Sequence, residues 1–96
     1  MKTLGEQLQD VGISQMVPNS AWRELVPELQ ALETVARAGL SVVIKVDGVR
    51  EDGSVFTVVI SGGRLSDAFF RKDGPDLGEL IRDALRFVID RLMASK

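Results

Sequence analysis

The chain has 96 residues, of which 45% are hydrophobic and 27% charged, and its net charge is −2 at pH 7. Such a composition is typical of one small globular domain and excludes a chain that is disordered throughout. Cysteine, histidine and tyrosine are all absent, which excludes disulfides, thiolate nucleophiles and imidazole bases and leaves few ligands for a transition metal.

Membrane insertion and secretion are not expected from this sequence. No apolar stretch approaches the ~20 residues that a membrane-spanning helix needs, and Met1 to Glu6 lack the apolar core of a signal peptide. Small secreted domains are often stabilised by disulfides, so the absence of cysteine favours a reducing compartment. We therefore expect a cytoplasmic protein.

The first 18 residues are weakly patterned, and we expect residues 1–18 to form a lead-in segment before a main domain at 19–96. A short helix over about 3–11 is predicted, because apolar residues recur there at helical spacing and Gly12 can end the helix. The apolar residues are Leu4, Leu8 and Val11.

The first helix of the main domain has to accommodate Pro27, since proline removes a hydrogen bond inside a helix. Two arrangements are compatible with it. Either one kinked helix spans 21–38, or a short turn over 21–25 precedes a new helix with Pro27 at its first position. We favour the second arrangement, in which Gly39 then ends the helix.

Three strands are predicted after this helix, over 41–46, 55–60 and 64–71. The first two are rich in β-branched residues, whereas the third also contains poor strand formers. The polar loop 47–54 carries two Asp-Gly pairs, which favour a hairpin between the first two strands.

A final helix is predicted over about 77–93, with Asp76 as its N-cap and Glu79 completing a capping box. The predicted fold is therefore α+β: a three-stranded antiparallel meander with one helix before it and one after it (α-β-β-β-α). We expect the core to include Val42, Ile44, Phe56, Val58, Ile81, Ala84 and Val88.

The predicted strands are apolar on both faces, although a sheet with both helices on one side should alternate apolar and polar residues. Val43, Val55 and Val59 share the face away from the helices, and the adjacent Phe69 and Phe70 must point to opposite faces. Three explanations stay open: a second copy pairs with this face, another protein docks on it, or the lead-in covers it through Leu4, Leu8, Ile13 and Met16. Val43, Val55, Val59 and Phe69 are the apolar candidates for partner binding.

Trp22, the only tryptophan, is predicted to be a core anchor near Pro27, and an interface anchor is the alternative. The last helix also carries apolar residues outside its core-facing stripe, which indicates packing on more than one side.

The loop between the first two strands supplies the acidic candidates Asp47, Glu51 and Asp52. An EF-hand counted from Asp47 would need an oxygen ligand at its third position, where this chain has Val49. A plain hairpin turn therefore explains these residues better than a calcium site.

Arg71 and Lys72, with Arg64 nearby, are basic candidates for contact with an acidic partner or a nucleic-acid backbone. We favour solvated charges that discourage edge-to-edge strand pairing. The order helix–three strands–helix is similar to that of double-stranded-RNA-binding domains, which contact phosphates through lysines at the start of their second helix. Here that helix begins with the acidic run 74–79, so nucleic-acid binding is disfavoured.

The sequence thus predicts a domain without catalytic activity, cofactor, metal or small-molecule substrate. Its expected partner is another protein or a second copy of itself. The leading hypothesis is a non-catalytic protein-binding module, for example a small acidic inhibitor of the anti-defence or immunity type that occludes a site on a larger protein. The alternative is a self-associating homodimer with a structural role.

Overall fold

The computed structural model of the chain describes residues 1–13 and 20–94. The helices are α1 (Leu4–Asp10), α2 (Val26–Arg37) and α3 (Leu77–Ala94), with 3₁₀ turns at Ser20–Leu25 and Gly63–Leu65. The strands are β1 (Ser41–Val46), β2 (Phe56–Ser61) and β3 (Phe70–Gly74), and they form one antiparallel sheet in the order β1-β2-β3. The predicted α+β fold and its order of elements are confirmed. Among the described residues, no helix is both long and apolar enough to cross a membrane.

Helix α1 is held at its start by a capping box. The Thr3 hydroxyl accepts a hydrogen bond from the Glu6 amide at 3.2 Å, and the Glu6 carboxylate accepts one from the Thr3 amide at 3.0 Å. Gly12, with a φ of 86°, follows the last turn as predicted. None of the residues of α1 is buried.

The arrangement that we favoured around Pro27 is confirmed. The 3₁₀ turn Ser20–Leu25 leads directly into α2, and Pro27 occupies the first turn of that helix, where the missing N–H has no intrahelical partner to lose. At the other end, Gly39 takes a φ of 104° and donates its amide to Ala36 O at 3.0 Å.

The predicted third strand over 64–71 is displaced in the structure. Gly63–Leu65 forms a 3₁₀ turn, Ser66 has a φ of 55° that a strand does not allow, and β3 begins only at Phe70. The turn places the Leu65 side chain in the core, where it is buried. The strand consequently extends to Gly74, three residues past the predicted end.

One face of the sheet packs against α3, and there lie Val58, Ile60, Ile81 and Ala84, all with no exposed surface. Helix α2 contacts both α3 and β1. The 3₁₀ turn that precedes α2 approaches α3 closely, since a Cβ atom placed on Gly78 would lie 2.7 Å from Leu25 Cδ2. An ion pair of 3.6 Å between Arg82 Nη1 and Glu28 Oε1 adds to the same contact.

The predicted core was wrong at two residues. Ile44 keeps 37% of its surface exposed and Trp22 keeps 47%, although both were expected inside. Four of the seven predicted core residues are buried: Val58, Ile81, Ala84 and Val88. Val42 and Phe56 are half-buried at the margin of the core.

Candidate docking surface at the first strand

Strand β1 is apolar in sequence but largely exposed. Val46 keeps 66% of its surface accessible and Val43 keeps 50%, whereas Val58 and Ile60 in the neighbouring strand have none. The register pairs Ile44 with Val58, so these two side chains share the face that packs on the helices. Strand β1 is therefore an apolar edge strand with exposed side chains on both faces of the sheet.

The backbone of β1 also has a free edge, because β2 pairs with only one side of it. Asp47 N donates to Val55 O at 2.7 Å, which places the Asp47 amide toward β2. Since residues of an antiparallel strand alternate in direction, the N–H and C=O groups of Val42, Ile44 and Val46 point away from β2. Within the part of the chain that the structure describes, no strand pairs with this row of donors and acceptors.

Helix α2 extends the apolar surface beside this edge. Leu32 is its buried residue, Glu28 lies on the flank that pairs with α3, and Val26 and Leu29 lie on the opposite flank, where both are exposed. We define the β1–α2 surface as the exposed apolar side chains on the helix side of the sheet around β1. Its members are Trp22, Val26, Leu29, Ile44 and Val46.

An open cleft of about 270 Å³ continues this surface at the end of β1. Its apolar lining includes Trp22, whose ring meets Phe56 edge-on at a centroid distance of 6.0 Å. Because Val46 is the register partner of Phe56, the cleft and the exposed end of β1 are contiguous. Leu25, Pro75 and Leu77 complete the apolar lining.

The four apolar candidates for partner binding differ in their exposure. Val43 and Phe69 are exposed, while Val55 and Val59 are half-buried. Phe70 points to the helix side, where its ring lies 5.8 Å from that of Phe87.

The explanation that the lead-in covers the outer sheet face is wrong for the residues that the structure describes. Leu4, Leu8 and Ile13 are themselves exposed, and α1 buries none of its residues. Met16, which was part of the same expectation, lies outside the described residues.

A polar network covers the other half of this outer face. Arg50 Nη1 lies 3.0 Å from Asp73 Oδ1, and the Thr57 hydroxyl donates to the same oxygen at 2.6 Å. Thr57 is buried as a result. The hydrogen bond from Thr57, followed by the one from Arg50, lowers the pKa of Asp73. Sequence reasoning missed Arg50, because its partner Asp73 belongs to the strand whose position was predicted wrongly.

Two of the acidic loop residues accept hydrogen bonds from backbone amides within the hairpin. Asp47 Oδ1 accepts a hydrogen bond from the Val49 amide at 3.0 Å, which lowers the pKa of Asp47, and Asp52 Oδ1 accepts one from Ser54 at 2.9 Å. Glu51 is exposed. Within 1–13 and 20–94, no group of three histidine, cysteine or acidic side chains is placed to hold a metal ion.

The basic candidates do not form one patch. Lys72 pairs in register with Val58 on the helix side, where its ammonium lies 2.7 Å from Asp83 Oδ2, a contact that raises the pKa of Lys72. Arg71 pairs with Val59 on the outer face. Arg64 belongs to the preceding 3₁₀ turn and lines a separate hollow beside Arg91.

Comparison with known proteins adds no relative. No protein-family model, no curated protein and no solved structure matches this chain.

Proposed function

We propose that this chain is a non-catalytic protein-binding domain and that the β1–α2 surface is where its partner docks. The observation that carries the proposal is β1, an apolar edge strand with both faces and one backbone edge exposed. Exposed edges of this kind are normally short, charged or covered in monomeric proteins, because they pair with other chains.

The side chains of the surface support protein binding over other ligands. They are aliphatic apart from Trp22, a residue type that is enriched among the anchors of protein interfaces. Contiguous apolar patches of several hundred Å² on a protein surface usually mark interaction sites. The absence of histidine, cysteine and tyrosine removes the commonest catalytic groups and supports a role without turnover.

An inhibitor that occludes a site on a larger protein is one form of such a domain. Acidic side chains are not its best means of attachment, because Asp73 lies against Arg50 and Asp83 against Lys72. A partner would therefore be recognised mainly through apolar contacts and through backbone pairing with β1, a mode known as strand addition.

The proposal is tested with a matched pair of variants, Ile44→Lys and Ile89→Lys. Ile44 belongs to the β1–α2 surface, whereas Ile89 lies on α3 outside it and is 59% exposed. Tagged chains are used to capture proteins from a lysate of the native host, and the retained proteins are quantified by mass spectrometry. Copies of the chain itself are counted separately.

We expect Ile44→Lys to reduce the amount of captured partner by more than about tenfold. A lysine buried in the interface costs far more than the 1.4 kcal/mol that corresponds to a tenfold change in affinity. Ile89→Lys should retain the partner like the unmodified chain. Equal capture by all three chains, with folding verified by circular dichroism, would place the binding site elsewhere.

A further inference from the structure

We infer that the partner of the β1–α2 surface is a second copy of this chain, paired edge to edge through β1 into a continuous six-stranded sheet. The inference rests on the proposed function, since it names the occupant of the same surface. In the dimer the strand order is β3-β2-β1-β1-β2-β3. A two-fold axis perpendicular to the sheet passes through the centre of the paired strands.

The two edges of the sheet differ in a way that favours pairing at only one of them. Strand β3 carries three charges in five residues, Arg71, Lys72 and Asp73, and Lys72 is tied to α3. Strand β1 has Lys45 as its only charge in six residues. Charged edges resist strand pairing, whereas apolar β-branched edges promote it.

The direction of the backbone groups defines the register. Pairing Ile44 with Ile44 of the second copy also pairs Val42 with Val46 in both directions, so all three outward-facing residues exchange hydrogen bonds. A shift by two positions in one direction leaves Val46 without a strand partner. A shift in the other direction sets Lys45 directly against Lys45, which is unfavourable.

The two-fold axis also brings the exposed flanks of the α2 helices to the same side of the dimer. A tight turn over 38–40 joins α2 to β1, and Leu29 and Val26 lie on the exposed flank of that helix. Together with Ile44 and Val46 they offer on the order of 400 Å² of apolar surface per copy, or about 800 Å² for the pair, which is small for a specific interface. Backbone pairing through β1 therefore has to supply much of the binding.

The test is the oligomeric state of the purified full chain by equilibrium sedimentation over a concentration series. The unmodified chain and Ile89→Lys should form dimers, whereas Ile44→Lys should weaken self-association by more than about tenfold. Val46→Pro should do the same, because it removes an outward N–H group that the monomer does not use. A chain that stays monomeric at every concentration overturns the homodimer, while the capture experiment still decides the docking surface.

The register is tested by cross-linking, which the cysteine-free chain makes simple. Ile44→Cys places two thiols on directly opposite residues, about 5.5 Å apart at Cα, which a disulfide can span. Val43→Cys is the control, because the two Val43 residues are diagonal neighbours about 7–8 Å apart. Mild oxidation should yield covalent dimers of Ile44→Cys alone. Equal cross-linking of both variants, or of Val43→Cys only, overturns the register.

The other possible occupant is α1, whose exposed stripe of Leu4, Leu8 and Val11 is also apolar. Deleting residues 1–13 should leave the dimer intact if strand pairing holds it. Loss of the dimer on deletion, with an Ile44→Lys chain that still dimerises, would place α1 in the interface and overturn edge pairing.

Discussion

Individual polar residues cover part of the outer face of the sheet, on which no helix among the described residues packs. Arg50 reaches from the hairpin loop to Asp73 on β3, and Thr57 donates to the same carboxylate from the strand between them. Arg50 Nη1 also donates to Ser54 O at 3.3 Å, which ties the loop to the sheet. The side chains of Arg50, Thr57 and Asp73 are thus joined to one another within a single copy of the chain.

A pH dependence follows from the depressed pKa of Asp73. Because that pKa lies below its ordinary value of 3.8, the carboxylate stabilises the fold above that pH, and the contribution is lost as the pH falls through the folded-state pKa. The unfolding free energy should therefore fall more steeply below about pH 4 in the unmodified chain than in Asp73→Asn. Urea unfolding at a series of pH values measures this, and parallel curves for the two chains would contradict it.

Strand β1 differs from β2 in the strands that pair with its edges and in the helix that covers it. Strand β2 is paired on both edges and covered by α3, whereas β1 is paired on one edge and leaves its end open beside Trp22. The 3₁₀ turn before α2 lies against α3, where Leu25 Cδ2 would be 2.7 Å from a Cβ atom placed on Gly78.

Proline substitutions at neighbouring positions test the two sides of β1. The Lys45 amide points toward β2 and takes part in the sheet, whereas the Val46 amide points outward. Lys45→Pro should therefore lose a sheet hydrogen bond that Val46→Pro keeps, at an added cost of about 1–3 kcal/mol. The measurement is urea unfolding of both variants at a concentration where each is monomeric. A Val46→Pro chain that is the less stable of the two would mean that the alternation is inverted.

Local patterns predicted most of these elements, and distant contacts account for the failures. Helical spacing and the flanking Gly12, Pro27 and Gly39 are short-range signals, and the helices that they predict are present. The start of β3 depends instead on the burial of Leu65, which no short window of sequence reveals. The exposure of Ile44 is likewise a property of tertiary packing, and the alternating pattern of β1 does not reveal it.

The molecule as a whole is extended for its length. Its radius of gyration is 16.0 Å, whereas a compact chain of this length has about 12 Å. Helix α1 contributes to this shape because it buries none of its residues.

Removing residues 1–13 should therefore leave the stability of the main domain unchanged within about 0.5 kcal/mol, since no buried contact is lost. Urea unfolding of the shortened chain, followed by circular dichroism, gives the comparison. A lower unfolding midpoint would show that α1 packs on the domain in solution.

The single charge on β1 also bears on how the chain aggregates at high concentration. An uncharged β-branched segment on an open edge can recruit extended chains without limit, because each strand that is added presents a new edge. Lys45 interrupts the apolar run from Val42 to Val46, and we expect this charge to oppose fibril growth. In the proposed dimer each β1 edge is used once, so pairing through β1 stops at two copies.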